Sequence, residues 1–161
     1  MKADYDAFLI CNPKGEDREF ADQLVDTMQD SPYNLKICVP WRVTDGRCNA
    51  RDCIRERCRC KRCIVILSSN FYKSEEAVSQ LEFAYSLSPG FKERLILPIC
   101  LNICEVPSYL QQISKLELYN MNARKWLWER LYLSLISHKN KAPEKQTKNL
   151  PDVVKSANIR N

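Results

Sequence analysis

Short apolar runs alternate with amphipathic stretches over the first 138 residues of the chain. Continuous apolar runs of this length are typical of strands that are buried on both faces of a sheet. They predict five strands, at residues 5–11, 35–39, 63–67, 95–100 and 116–119.

The segments between these runs place apolar residues three and four positions apart, which predicts helices over residues 17–28, 49–61, 74–87 and 123–138. Ser74 is a suitable N-terminal cap for the third helix. Strands separated by helices need crossover connections, so we expect a parallel sheet with helices on both faces. Right-handed crossovers favour a flavodoxin-like α/β fold with five strands in the order 2-1-3-4-5.

The length of 161 residues and the 45% apolar content fit one domain over residues 1–138. Residues 139–161 are polar, rich in Lys and Asn, and predict a disordered tail. No apolar run approaches the roughly 18 residues of a membrane span. Lys2, Asp4 and Asp6 interrupt the segment that a signal peptide would keep apolar, so we expect a cytoplasmic protein.

Nine cysteines are many for this length, and their odd number argues against a complete disulfide framework. In a reducing compartment we expect them to remain thiols. Cys58, Cys60 and Cys63, and separately Cys100 and Cys104, have the spacings of zinc ligands. Cys63 and Cys100 are already explained as small apolar residues of buried strands. We therefore predict no metal site, with structural zinc as the alternative.

The loop after the first strand, residues 12–17, lies where α/β proteins usually bind phosphate or place catalytic groups. The chain has only three glycines, and neither a dinucleotide fingerprint nor a P-loop is present. A phosphoacceptor domain would need an acidic pair where Cys11 and Asn12 stand. The only histidine, His138, lies at the end of the last predicted helix beside the tail and is expected at the surface. We predict no cofactor.

Arginines recur every three or four residues through the second predicted helix and one position beyond it. At this spacing they share one helix face. This basic face consists of Arg51, Arg55, Arg59 and Arg62. It is either a solvated surface or a docking surface for an acidic protein or acidic lipid headgroups. No aromatic residues interleave with the charges, so we expect no nucleic acid to bind.

Three segments in the expected order resemble the three sequence boxes of Toll/interleukin-1 receptor (TIR) domains. They are Tyr5-Asp6-Ala7-Phe8 for box 1, residues 35–39 with Arg42 and Gly46 for box 2, and Trp126-Leu127-Trp128 for box 3. The likeness covers about residues 4–137, and within the family it is to TIR domains of the adaptor type.

The resemblance implies a module of innate-immune signalling that binds TIR domains of receptors and adaptors, with weak self-association or higher-order assembly. Membrane association would then come only through receptors. The implied partner-binding loop consists of Arg42, Val43, Thr44, Asp45, Gly46, Arg47 and Cys48. The family usually has Arg-Asp-x-x-Pro-Gly in this loop, whereas Val43 replaces the acidic residue and Asp45 the proline. Because proline would pre-set the turn, we expect a differently shaped loop here.

Some TIR domains cleave NAD with a glutamate on the helix after the third strand, and the matching position here is Gln80. An amide lacks the carboxylate charge that would stabilise an oxocarbenium-like centre. Glu82 lies two positions further along the helix and should face elsewhere. We therefore predict a protein that is not an enzyme. The alternatives are an NAD-cleaving hydrolase and a decoy that inhibits receptor signalling.

Overall fold

Five parallel strands form the central sheet of the chain. A computed structural model describes residues 5–42, 50–55, 60–87 and 96–137. The strands are β1 (Tyr5–Ile10), β2 (Ile37–Cys38), β3 (Cys60–Leu67), β4 (Ile96–Cys100) and β5 (Leu116–Glu117). Their order is β2-β1-β3-β4-β5, and every neighbouring pair is parallel. The predicted flavodoxin-like strand order is confirmed.

Helices cover both faces of this sheet, as predicted. They are α1 (Gly15–Gln29), α2 (Ala50–Arg55), α3 (Glu75–Leu87), α4 (Met121–Lys125) and α5 (Leu127–Ser137). Buried residues of α1 and α5 share one apolar cluster with the sheet, and those of α2 and α3 share the other. Short 3₁₀ turns span Pro40–Arg42, Phe71–Lys73 and Ser108–Leu110.

Strand β1 lies inside the sheet between β2 and β3, which explains why its sequence is continuously apolar. Ala7 and Leu9 pack in the cluster with α1 and α5, while Phe8 and Ile10 pack in the cluster with α2 and α3. All four side chains are at most 1% exposed. Each fully buried large apolar side chain stabilises the fold by roughly 1.5–3 kcal/mol relative to an exposed one.

The start of one strand differs from its prediction, because β3 begins at Cys60 rather than Cys63. Cys60 pairs with Tyr5 and Arg62 with Ala7, so the parallel ladder to β1 extends the strand backwards. Arg62 is 3% exposed, and its Nη1 donates to the Ser134 carbonyl of α5 at 3.2 Å. The prediction that Arg62 lies on the arginine-bearing helix face is therefore wrong.

The last predicted helix is interrupted at Trp126, which separates α4 from α5. Helix α4 begins earlier than predicted because the Asn120 side chain accepts a hydrogen bond from the Asn122 amide at 3.0 Å. His138 and the predicted tail, 139–161, lie outside the described residues. None of the helices in the described ranges has the length and apolar composition needed to cross a bilayer.

Candidate functional site

Asparagine side chains join the loops that follow β1, β3 and β4 at the carboxyl edge of the sheet. Asn12 Nδ2 donates to the Asn70 carbonyl at 2.7 Å, and Asn12 Oδ1 accepts from the Lys14 amide at 3.1 Å. Asn102 Oδ1 accepts from the Ser69 amide at 3.1 Å. These contacts fix the three loops relative to one another.

A buried carboxylate and a buried hydroxyl lie beneath these loops. Ser68, at the end of β3, is fully buried, and its Oγ donates to Asp17 Oδ2 at 2.5 Å. The same Oγ accepts from the Asn70 amide at 3.0 Å. Asp17 lies in the first turn of α1, is 1% exposed, and its Oδ1 has no hydrogen-bond partner among the described residues. Burial raises the pKa of the Asp17 carboxyl, which the Ser68 hydrogen bond partly opposes.

A cleft of about 600 Å³ opens beside this network, between the beginnings of α1 and α3. Gly15 begins α1 with a positive φ of 65°, a conformation that residues other than glycine rarely adopt. The residues that line the cleft are Asn12, Pro13, Lys14, Gly15, Asn70, Lys73, Ser74, Glu75 and Glu76. Two lysines and two glutamates make its lining mixed in charge.

The position expected for a catalytic glutamate faces a second, much smaller cavity of about 30 Å³. Gln80 is 8% exposed, and its Nε2 donates to Glu76 Oε2 at 3.4 Å. Glu76 lines both cavities, whereas Glu82 is exposed, as its spacing from Gln80 predicts. Sequence reasoning missed Glu76, although it lies one helical turn before Gln80 and so shares its face.

Arg42, the first residue of the predicted partner-binding loop, is held against α1. Its Nη1 lies 2.9 Å from Asp26 Oδ1, and its Nη2 lies 3.0 Å from Asp22 Oδ1. Trp41 Nε1 donates to the same Asp22 oxygen at 2.9 Å, and the Arg18 guanidinium lies 4.9 Å from the Trp41 ring centroid. The hydrogen bond to Asp26 is the main reason that the pKa of Arg42 is raised. We call these five residues the Arg42 clamp.

Residues 43–48, which complete the predicted loop, lie outside the described residues, as does Arg59. Arg51 packs on α3, with its guanidinium 4.6 Å from the Phe83 ring centroid. Arg55 Nη2 lies 2.5 Å from Asp52 Oδ1 on its own helix. Both arginines thus contact neighbouring side chains, and docking by this face stays a prediction.

The box 1 residues are the first four residues of β1. The side chains of Ala7 and Phe8 are completely buried, while Tyr5 and Asp6 are partly exposed. Asp6 Oδ2 accepts from the Lys36 amide at 2.9 Å, just before β2. Box 1 therefore positions β1 and the neighbouring edge strand β2.

The box 3 residues join α4 to α5. Leu127 is buried in the core, and Trp128 stacks on Phe20 of α1 with ring centroids 6.1 Å apart. Trp126 is 50% exposed, with the Lys125 ammonium 5.6 Å from its ring centroid. One tryptophan packs on the core and the other lies near the surface, as their spacing predicts.

The cysteines within the described ranges form no cluster of three or more metal-binding side chains with His, Asp or Glu. Cys60, Cys63 and Cys100 are buried thiols that form no disulfide, and Cys104 is a half-buried one. Cys53 is disulfide-bonded, so the expectation that the cysteines remain thiols is not met there. Cys58 lies outside the described residues.

Comparison with known proteins shows the class to which this fold and its boxes belong. The family model of the TIR domain matches residues 8–132, and the chain therefore belongs to the TIR domain family. Its structure is similar to the crystal structure of the TIR domain of the Toll-related receptor TRR-2 from Hydra magnipapillata. That likeness has a TM-score of 0.65 and 27% identity, and it covers 81% of this chain and 98% of that one.

The fold is also similar to that of a metazoan TIR-STING receptor from C. gigas. The structure of that receptor in complex with 2′,3′-cGAMP has a TM-score of 0.60 at 18% identity, covering 81% of this chain and 40% of that one. A second structure of the receptor has a TM-score of 0.60 at 17% identity, covering 88% and 42%. At this identity the likeness concerns the fold alone.

Proposed function

We propose that this TIR domain is a non-enzymatic adaptor module that binds TIR domains of receptors and adaptors in the cytoplasm during innate-immune signalling. Membership of the family and the likeness to a Toll-related receptor domain support this function. Residues 35–39, 83–90, 94–96 and 126–131 also resemble the TIR domain of the myeloid differentiation primary-response adaptor.

The observation that carries the proposal is the Arg42 clamp. The predicted partner-binding loop begins at Arg42, whose guanidinium contacts two carboxylates one turn apart on α1. The loop therefore leaves the domain from a fixed point, and a fixed origin lowers the entropy lost when a partner binds. Because the Arg42 charge is paired within the domain, we assign Arg42 the role of positioning the loop.

Contacts of this kind are expected to be small, polar and individually weak. Specificity then comes from many copies that act together, since linking weak sites raises the apparent affinity without new contacts.

The test is association of the purified chain with TIR domains, or with itself, measured by pull-down and light scattering. We expect Arg42→Ala and Gly46→Pro to weaken association while the circular dichroism spectrum is unchanged.

Lys36→Ala is the charge-matched control, because Lys36 is exposed and precedes β2, at the opposite end of that strand from Arg42. Asp26→Asn should weaken association in the same direction as Arg42→Ala if the arginine acts by positioning the loop. Unchanged association in both the Arg42 and the Gly46 variants would exclude this loop as the binding site.

A second candidate function is NAD cleavage, and one observation favours it. Although Gln80 occupies the expected glutamate position, Glu76 places a carboxylate on the same helix face and lines both cavities. Incubation of concentrated protein with NAD, followed by chromatography for nicotinamide, tests this function. Turnover that Glu76→Gln abolishes and Glu82→Gln leaves intact would replace the non-enzymatic proposal. Absence of nicotinamide release from the parent chain supports the non-enzymatic proposal.

A further inference from the structure

Two thiols lie together where the chain leaves β4. Cys100 is the last residue of the strand and is 2% exposed, while Cys104 is half-buried four residues later. Both are free, and a hydrogen bond joins their side chains. The more exposed sulfur can meet a dissolved reagent, and the buried sulfur is already next to it.

The backbone on both sides of this pair is fixed by hydrogen bonds. The Cys100 carbonyl accepts from the Leu118 amide at 2.9 Å. Asn102 Oδ1 accepts from the Ser69 amide at 3.1 Å, and the Glu105 carbonyl accepts from the Tyr72 hydroxyl at 2.7 Å. Because the turn is held at three points, the two sulfurs stay close without further ordering of the chain, and ring closure is correspondingly favoured.

We propose that Cys100 and Cys104 form a reversible redox site, which a small-molecule disulfide such as glutathione disulfide converts to an intramolecular disulfide. The Cys104 thiolate attacks glutathione disulfide, giving a mixed disulfide and one glutathione thiolate. Cys100 then loses its proton to solvent, attacks the Cys104 sulfur and releases the second glutathione. Two protein thiols are oxidised, and one glutathione disulfide is reduced to two glutathiones.

The local electrostatics act on the rate and on the equilibrium in opposite ways. Burial raises the pKa of Cys100 to about 11 and also raises that of Cys104, with Glu117 and Asp17 adding negative charge nearby. Few thiolates are present at neutral pH, so the exchange is slow. Because neither sulfur is stabilised as a thiolate, the reduced form of the pair gains no stability, and the equilibrium favours the disulfide. A strongly oxidising thiol pair behaves in the opposite way, because its reduced form is stabilised.

A second thiol pair serves as an internal control. The side chains of Cys38 and Cys60 are also hydrogen-bonded to each other, but both residues are only 1% exposed. If closeness alone were enough, this pair would be oxidised as readily. If oxidation requires a sulfur that solvent can reach, the Cys38–Cys60 pair stays reduced in the folded protein.

The experiment equilibrates the folded chain in buffers of varied glutathione to glutathione disulfide ratio, quenches with acid, and blocks free thiols with N-ethylmaleimide. Trypsin cleaves after Arg94 and Lys115 and leaves both cysteines on one peptide, residues 95–115. In the oxidising buffers we expect that peptide to carry no maleimide and to lack two hydrogens by mass. Dithiothreitol should restore two maleimide additions. Cys38 and Cys60 should stay reduced and therefore carry maleimide in every buffer.

Two variants keep the test decisive. Cys100→Ser should leave Cys104 as a stable mixed disulfide with glutathione, and Cys104→Ser should leave Cys100 unmodified. Thermal melts monitored by circular dichroism confirm that each variant is folded. A parent chain that retains glutathione on Cys104 with Cys100 free, or links Cys104 to a different cysteine or a second chain, would overturn the proposal.

Discussion

Replacing Ser68 with alanine should destabilise the domain more than any other single hydroxyl removal at the carboxyl edge of the sheet. The Ser68 Oγ is the described partner of Asp17 Oδ2 and also the acceptor for the Asn70 amide. Alanine would leave a buried carboxylate with neither oxygen hydrogen-bonded within the described part of the chain, because Oδ1 already has no partner there. It would also remove the acceptor of one backbone amide.

The magnitude follows from these two losses. A buried polar atom left without its partner costs about 1–3 kcal/mol, and a lost hydrogen bond of a backbone amide adds roughly 0.5–1.5 kcal/mol. We therefore expect Ser68→Ala to lower the free energy of unfolding by about 1.5–4.5 kcal/mol, a large fraction of the total for a domain of this size. Urea unfolding followed by tryptophan fluorescence measures it.

The neighbouring serine provides a matched control. Ser69 is exposed, and only its backbone amide takes part in the network, so Ser69→Ala should change the stability by less than about 0.5 kcal/mol. If the two alanine variants unfold at the same urea concentration, the buried pair contributes nothing and the reasoning is refuted.

Because Asp17 is titratable, the stability of the domain should depend on pH. The folded-state pKa of Asp17 is raised above its ordinary value of 3.8. Its stabilising contribution is therefore complete below pH 3.8 and is lost as the pH rises through the folded-state pKa. Asp17→Asn removes the charge and keeps an oxygen that accepts from Ser68. Relative to this variant, the parent should lose stability as the pH is raised from about 4 to 7. A parent that gains stability over this range relative to Asp17→Asn would contradict the assignment.

Three further predictions concern the core and its surface. Leu131→Ala should lower the free energy of unfolding by about 2–5 kcal/mol, because the side chain is completely buried, and urea unfolding measures this. A double-mutant cycle between Arg42 and Asp26 should give a coupling of about 0.2–1 kcal/mol that shrinks at high salt, because the pair is partly exposed. Trp128→Ala should lower the melting temperature more than Trp126→Ala, because the first ring stacks on α1 and the second is half exposed.

Most of the fold could be predicted because the strands of a parallel sheet are buried on both faces, which makes their apolar runs continuous. The start of β3 could not be predicted from the sequence. Cys60, Lys61 and Arg62 read as the basic end of a helix, but pairing with Tyr5 and Ala7 some fifty residues earlier draws two of them into the ladder. No local pattern contains that partner, so the burial of Arg62 had no sequence signal.

The candidate site was predictable in position and not in its contacts. Arg42 was identified through the family box, but its partners Asp22 and Asp26 lie on α1 and become neighbours only once β2 is placed beside β1. Asn12 and Asn70 are separated by 58 positions and meet for the same reason. The available signal was that polar residues follow directly after strands, which identifies the edge of the sheet but not the pairs formed there.

These contacts suggest how the edge supports the proposed docking function. In many α/β proteins the polar residues after the strands bind a ligand. Here Asn12, Asn102 and Ser68 are hydrogen-bonded to neighbouring loops and to α1. Their polar groups therefore stabilise the arrangement of the loops. A surface held in this way loses little conformational entropy on association, and this saving matters most where each interface is small and weak. The rigidity of the edge thus favours a binding module that works through many modest contacts.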